Sequence, residues 1–324
     1  MYKMDITVKK KLLSASFISA ALMAFLLLKV DWGHFSLIAG RLDIKELIAA
    51  YCVFLIGNLV RTFRFYKLDH MNKKLTHWWY ISAFYNCITS TLPGGAGEAA
   101  TAYVIKRYSE FNILGALRIL LLSRLMDLFA LSALFCISAI MMHSDTPYRE
   151  AAIWLSGTLF LLSSLTLLRS SEQFLMRLLE KIPGQITFMK IVSEKLSELI
   201  KISEEQRSNS SLCITLFQSL LMWIGAILLM HLVLRSFGIY FTFIQSAYCF
   251  GVYAIFQIVP VQGIAGIGTQ AAWYAIALNA AGYHAPDAIA LGFVLHGTFY
   301  LFIASMGLFS LLVWLKGRKK GFVF

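Results

Sequence analysis

Arg124 and Asp127 stand three residues apart inside the apolar run 112–141. Arg124 lies about twelve residues into it, or ~18 Å deep at ~1.5 Å per residue. A charge at that depth in an apolar run is costly, and its position marks a functional site by default. The spacing puts both side chains on one helical face, where they can pair. A guanidinium there grips a phosphate through its planar fork. The alternative is a structural ion pair that closes a helix bundle.

Two other stretches carry possible chemistry. "TLPGGAGEAATAYVIKRY" (91–108) and "VPVQGIAGIGTQAAWYAIAL" (259–278) break apolar regions with proline and glycine. After Pro93, the glycines Gly94, Gly95 and Gly97 allow the chain to reverse and a half-helix to start near Gly97. Gly263, Gly266 and Gly268 can do the same in the second stretch. The first amides of such a half-helix lack internal partners and sit at its positive end, where a phosphate is stabilised. The competing reading is that these glycines permit close helix packing.

Glu98 falls in the first turn of the first half-helix, where it complements the dipole, couples to Arg124 or carries a proton. Arg118 lies nearer the end of its run and can snorkel. Arg61 and Arg64 read as topology determinants that can also collect anionic headgroups. His296, Gln270, Asn86, Gln257 and Gln262 are polar groups near the breaks, suited to lining a cavity or to interhelical hydrogen bonds. The sequence shows no nucleophile elbow, metal cluster or nucleotide loop, so no cofactor is expected and ATP is not the expected energy source.

The elements around these residues belong in lipid. Of the 324 residues, 59% are hydrophobic, and the mean hydropathy is +0.70. A soluble chain of this length could not hide that much apolar surface. The formal charge of +12 gathers at the ends of apolar runs, as the positive-inside bias requires, so nucleic acid is not an expected partner. The five scattered cysteines read as small buried hydrophobes rather than disulfides.

Runs long enough to cross a ~30 Å core cover 12–30, 46–65, 112–141, 151–168, 211–235 and 287–315. The regions 77–107 and 241–281 are apolar but interrupted, and 170–207 has the pattern of cytoplasmic amphipathic helices on the membrane surface. Basic residues precede the first run (Lys3, Lys9, Lys10, Lys11), gather at and after the end of the second (Arg61, Arg64, Lys67, Lys73, Lys74) and follow the last (Lys316, Arg318, Lys319, Lys320). Both termini are therefore expected in the cytoplasm.

Tracing the chain on that basis gives an all-α polytopic protein forming one membrane domain over 1–324. It has about six full spans and two re-entrant broken-helix hairpins. The halves 45–141 and 211–315 each read span, hairpin, span, in opposite orientations, with 170–207 as connector. That is an inverted-topology repeat, and broken helices in its matching positions point to a transport site. Spacing agrees: Arg124 is eight residues after Ala116, and His296 is eight after Ala288.

"LPGGAGEAA", the later "LSRLMDLFAL" and the late "GIAGIGTQAA…AIALGFVLH" together resemble the transmembrane region of lysylphosphatidylglycerol synthases, also called flippase-like membrane proteins. "RTFRFYKL" is similar to that family's basic segment after an early span. The resemblance runs from about residue 45 to 315 and implies an inner-membrane protein that moves or handles lipids. By position, the family's glycine-glutamate motif falls on Gly95, Gly97 and Glu98, and its arginine-aspartate pair on Arg124 and Asp127. Gln270 and His296 stand where relatives commonly carry glutamate and arginine, so the second half is expected to work differently or to be mainly structural. With the chain ending at Phe324, aminoacyl transfer to lipid is not expected.

The expectation is a lipid translocase of the inner membrane for an anionic phospholipid or a polyprenyl-phosphate-linked headgroup, not an enzyme. The alternative is a non-transporting subunit that anchors or regulates an envelope glycosyltransferase or lipid-modifying enzyme.

Overall fold

The computed structural model describes residues 38, 40–68, 74–92, 96–108, 113–143, 145–146, 148–167, 209–257, 264–266, 268–283 and 288–319. The expected first span 12–30 and the connector 170–207 lie outside these residues. So do Gly94, Gly95 and Gly263, and the side chains of Glu98 and Arg118.

All regular structure among the described residues is helical. The helices are α1 Ile44–Leu68, α2 Leu75–Thr91, α3 Ala96–Tyr108, α4 Ile113–Met141, α5 Arg149–Leu167, α6 Asn209–Ser236, α7 Phe243–Phe256, α8 Thr269–Ala280 and α9 Ala288–Lys319, with a 3-10 turn at Ile264–Gly266 before α8. Four contain segments long and apolar enough to cross a membrane: Ile44–Lys67, Gly115–Met141, Cys213–Ser236 and Ala288–Ser310.

Helix α5 matches the expected run 151–168 but is not among those four. Ser156, Thr158, Ser163, Ser164 and Thr166 dilute its hydropathy. The first four return their hydroxyls to carbonyls of the preceding turn, so their polarity is satisfied within the helix.

Both interrupted regions break where proline and glycine interrupt the apolar pattern. Helices α2 and α3 have 17 and 13 residues, and α7 and α8 have 14 and 12. At ~1.5 Å per residue, each is shorter than a ~30 Å core. Helices α7 and α8 run antiparallel: Tyr253 stacks on Tyr274, Phe256 on Trp273, and Gln257 bonds Gln270. The last turn of α2 meets the first turn of α3 at Thr89 and Gly97.

Interhelical packing is reciprocal. Helix α1 packs on α2 as α6 does on α7; α2 on α3 as α7 on α8; α3 on α4 as α8 on α9. Helix α4 packs on α7, and α9 on α2. Two apolar clusters result. The larger includes Phe135, Tyr248, Tyr274 and Leu295, and the smaller Phe65, Trp78, Tyr85 and Ile105.

Candidate functional site

The first break is bordered by a cluster of arginines. Arg64, on α1, is 2% exposed and reaches across to α4, where its two terminal nitrogens bind the two oxygens of Asp127. The same guanidinium donates to Ser219 Oγ of α6 at 2.9 Å. Apolar packing brings these helices close enough, and a buried carboxylate needs a cation and hydrogen bonds together. This corrects the expected pairing: Asp127 holds Arg64, 63 residues away in sequence, and not Arg124 three residues away. Arg64, expected as a topology determinant, is buried within the bundle.

Arg61 sits one turn earlier on α1. It donates to Asn86 Oδ1 of α2, and its guanidinium lies 5.5 Å from the Tyr85 ring centre. Arg124 approaches the same ring, at 5.8 Å, and keeps much of its surface exposed. One tyrosine thus stands within cation–π range of two arginines. Arg61 Nε is enclosed and has no hydrogen-bond partner among the described residues. Its described polar partners are neutral, whereas Arg64 has a carboxylate.

A chain of amides sets the orientation around Arg61. A guanidinium can only donate, so Asn86 turns its oxygen toward Arg61. Its nitrogen then donates to Asn58 Oδ1 at 3.0 Å, and Ser82 Oγ donates to the same oxygen at 2.9 Å. Asn58 Nδ2, on a residue only 3% exposed, has no partner among the described residues. Asn58, Arg61 and Arg64 recur every three residues on α1.

The second break is chemically different. Gln270 Oε1 accepts from Tyr253 Oη at 2.6 Å and from Gln257 Nε2, and Gln270 Nε2 donates back to Gln257 at 3.3 Å. His296, half-buried on α9, sets its ring 6.0 Å from that of Tyr300. Gly268 caps α8 with φ +83° and Gly266 has φ +64°, left-handed conformations that favour glycine. The cluster has no described ionised group.

The two breaks also approach one another. The 3-10 turn packs on α2, and Thr91 Oγ1 lies 3.3 Å from Tyr300 Oη of α9.

For Gly97 the packing reading is the one with a geometric cause. A β-carbon there would lie 2.6 Å from Thr89 Cα and 3.0 Å from the Ile88 oxygen, both backbone. A β-carbon at Gly266 would strike the Gln270 side chain.

Sequence reasoning placed Arg61, Arg64, Arg124 and Asp127 among the candidates but overlooked Asn58, Ser82, Tyr85 and Ser219. The available signal was Asn58 at one turn before Arg61, inside a run otherwise suited to lipid. No group of residues suited to holding a metal ion occurs among the described residues.

No curated protein and no solved structure matches the chain significantly. The family model described as the lysylphosphatidylglycerol synthase TM region matches residues 12–307, nearly the whole chain. By that match over residues 12–307, this chain of broken helices and apolar spans belongs to the lysylphosphatidylglycerol synthase TM region family.

Proposed function

We propose that this protein is a flippase-like lipid translocase of the cytoplasmic membrane, moving an anionic phospholipid or lipid-linked phosphate between leaflets. The observation that carries the reading is Arg61. It is a guanidinium inside an apolar bundle, with neutral polar partners and an enclosed, unpartnered Nε. Arg61 is part-buried and its nearest partners are neutral, so a lipid phosphate at its guanidinium would offset the cost of holding the charge in an apolar bundle. Arg61 is the principal headgroup cation in this reading. Arg124 shares the Tyr85 ring as its neighbour, and Arg64–Asp127 is the anchor that holds α1 against α4 and α6.

Reciprocal packing supports an inverted repeat of six spans, counting 12–30, with two re-entrant hairpins. Both termini then face the cytoplasm. The contact between the 3-10 turn and α2 suits hairpin tips that meet near the midplane. The protein moves lipid without chemistry upon it, and its partners are membrane lipids.

The test is translocation of fluorescent anionic lipid in proteoliposomes, read by quenching of the outer leaflet. Arg61→Ala should abolish the protein-dependent fraction while the protein still inserts and keeps its melting temperature. Unchanged translocation with intact Arg61→Ala would remove the reading.

The subunit alternative draws on the Tyr253–Gln257–Gln270 network and the Arg64–Asp127–Ser219 tie, both of which stiffen the bundle. It predicts no translocation by the wild-type chain alone.

A further inference from the structure

The two halves of the molecule meet along two quasi-equivalent seams, α4 against α7 and α2 against α9. They are built differently. At the first, Phe135 of α4 and Tyr248 of α7 stand with ring centres 5.7 Å apart, both buried in the larger apolar cluster. The α7 backbone rests directly on the Phe135 ring, since a β-carbon at Gly251 would lie 2.0 Å from it. At the second seam the helices belong to different clusters. Among the described residues, α2 contributes to the smaller, with Trp78 and Tyr85, and α9 to the larger, with Leu295 and Phe302. The described contacts between them are lighter. Gly307 faces the Cys87 side chain, Tyr300 Oη lies 3.3 Å from Thr91 Oγ1, and the 3-10 turn rests on α2. The Thr91 hydroxyl donates to the Cys87 carbonyl at 2.7 Å, so Tyr300 is the donor across the seam.

The same stretch of α2 holds the arginine site. Asn86, which accepts from Arg61, directly precedes Cys87. At ~100° per helical residue the two side chains leave α2 on neighbouring faces, one toward α1 and the other toward α9. A lipid that crosses at Arg61 must carry its polar headgroup past protein while its acyl chains stay in hydrocarbon. One side of the path therefore has to open to the bilayer. A seam inside one continuous apolar core resists opening, whereas a seam between two cores, bridged by a hydroxyl pair, opens at small cost. The geometry points to the α2–α9 seam as the lateral passage for lipid. The hairpin α2–α3 swings from α9 together with the smaller cluster, lipid passes between Cys87 and Gly307, and the α4–α7 seam stays shut. This inference rests on the translocase reading and gives it a route. Movement of one packed body against another is a common form of gating between repeats.

The experiment locks the seam. In the full chain with Cys87 as the single retained native cysteine, Gly307→Cys places a β-carbon 3.2 Å from that of Cys87, near the ~3.5–4.5 Å span of a disulfide. Loss of free thiols verifies closure. In proteoliposomes the oxidised protein should move fluorescent anionic lipid about tenfold or more slowly than the reduced one, and dithiothreitol should restore the rate. The corresponding lock at α4–α7, Phe135→Cys with Gly251→Cys, should change the rate by about twofold or less. Equal rates for oxidised and reduced Gly307→Cys overturn the inference, as does failure of the folded variant to cross-link. An equally large loss from the α4–α7 lock overturns the choice of seam. A second measurement needs neither the added cysteines nor transport. It is the rate at which N-ethylmaleimide alkylates Cys87 in the single-cysteine protein in liposomes, since the thiolate that reacts needs water. Tyr300→Phe removes the hydroxyl bridge and should speed alkylation by about twofold or more. An unchanged rate overturns the inference, and this result decides if a lock variant does not fold. If the wild type moves no lipid, the translocase reading falls, while alkylation still judges whether the seam opens.

Discussion

Arg64 and Asp127 form a bidentate ion pair across helices α1 and α4, with Ser219 of α6 as a third partner of the same guanidinium. Both residues are buried, at 2% and 7% exposure. A buried pair is costly to break from one side, because the remaining charge is left uncompensated. Asp127→Asn should therefore destabilise the protein by about 3–5 kcal/mol. Arg64→Met together with Asp127→Leu should recover much of that loss. Melting in detergent checks both. If the double variant melts no higher than Asp127→Asn, the pair is not the source of the loss.

Arg61 and Arg124 should separate by function. Arg61→Lys keeps the charge but loses the fork that binds Asn86 and a phosphate at once, so translocation should recover only partly relative to Arg61→Ala. Arg124→Ala, at the more exposed neighbour, should lower translocation less than Arg61→Ala does. Initial rates in proteoliposomes with matched protein content measure the order. The reverse order would make Arg124 the principal cation.

Tyr85 should act through the two arginines that approach its ring. Tyr85→Leu removes the aromatic face and keeps an apolar side chain. A cation–π contact is worth about 0.5–2 kcal/mol, so apparent lipid affinity should fall by roughly 2- to 30-fold. Lipid titration of the melting temperature reads the shift. An unchanged half-saturation point would limit Tyr85 to packing.

Gly97→Ala should destabilise the protein by about 1–3 kcal/mol, since the added carbon meets the Thr89 and Ile88 backbone rather than a flexible side chain. The lipid-induced rise in melting temperature should survive. A variant with unaltered stability and a lost lipid response would instead make Gly97 part of the headgroup site.

Topology is checked by cysteine labelling on a cysteine-free background. Positions 70 and 109 should label from the cytoplasmic side, and positions 146 and 284 from outside. Labelling of 109 from outside would mean that the first broken region crosses the membrane.

The membrane class and the positions of the helix breaks could be read from the chain alone, because both are local. Sustained apolar runs require lipid whatever they pack against, and the glycine and proline at 91–97 and 259–268 interrupt helices by their own backbone restrictions. Helix starts at Ala96 and Thr269 follow directly from those stretches. The partner of Asp127 could not be read this way. Spacing along α4 favoured Arg124, but packing of α1 against α6, and of α4 against α6, brings Arg64 to the carboxylate and Ser219 to the Arg64 guanidinium. The same packing sets Arg61 against Asn86 and Tyr85 of α2, contacts that spacing along α1 alone does not give. Helical periodicity specifies which residues share a face, whereas the choice among several cations for one buried anion depends on which faces meet. Only the tertiary structure decides that.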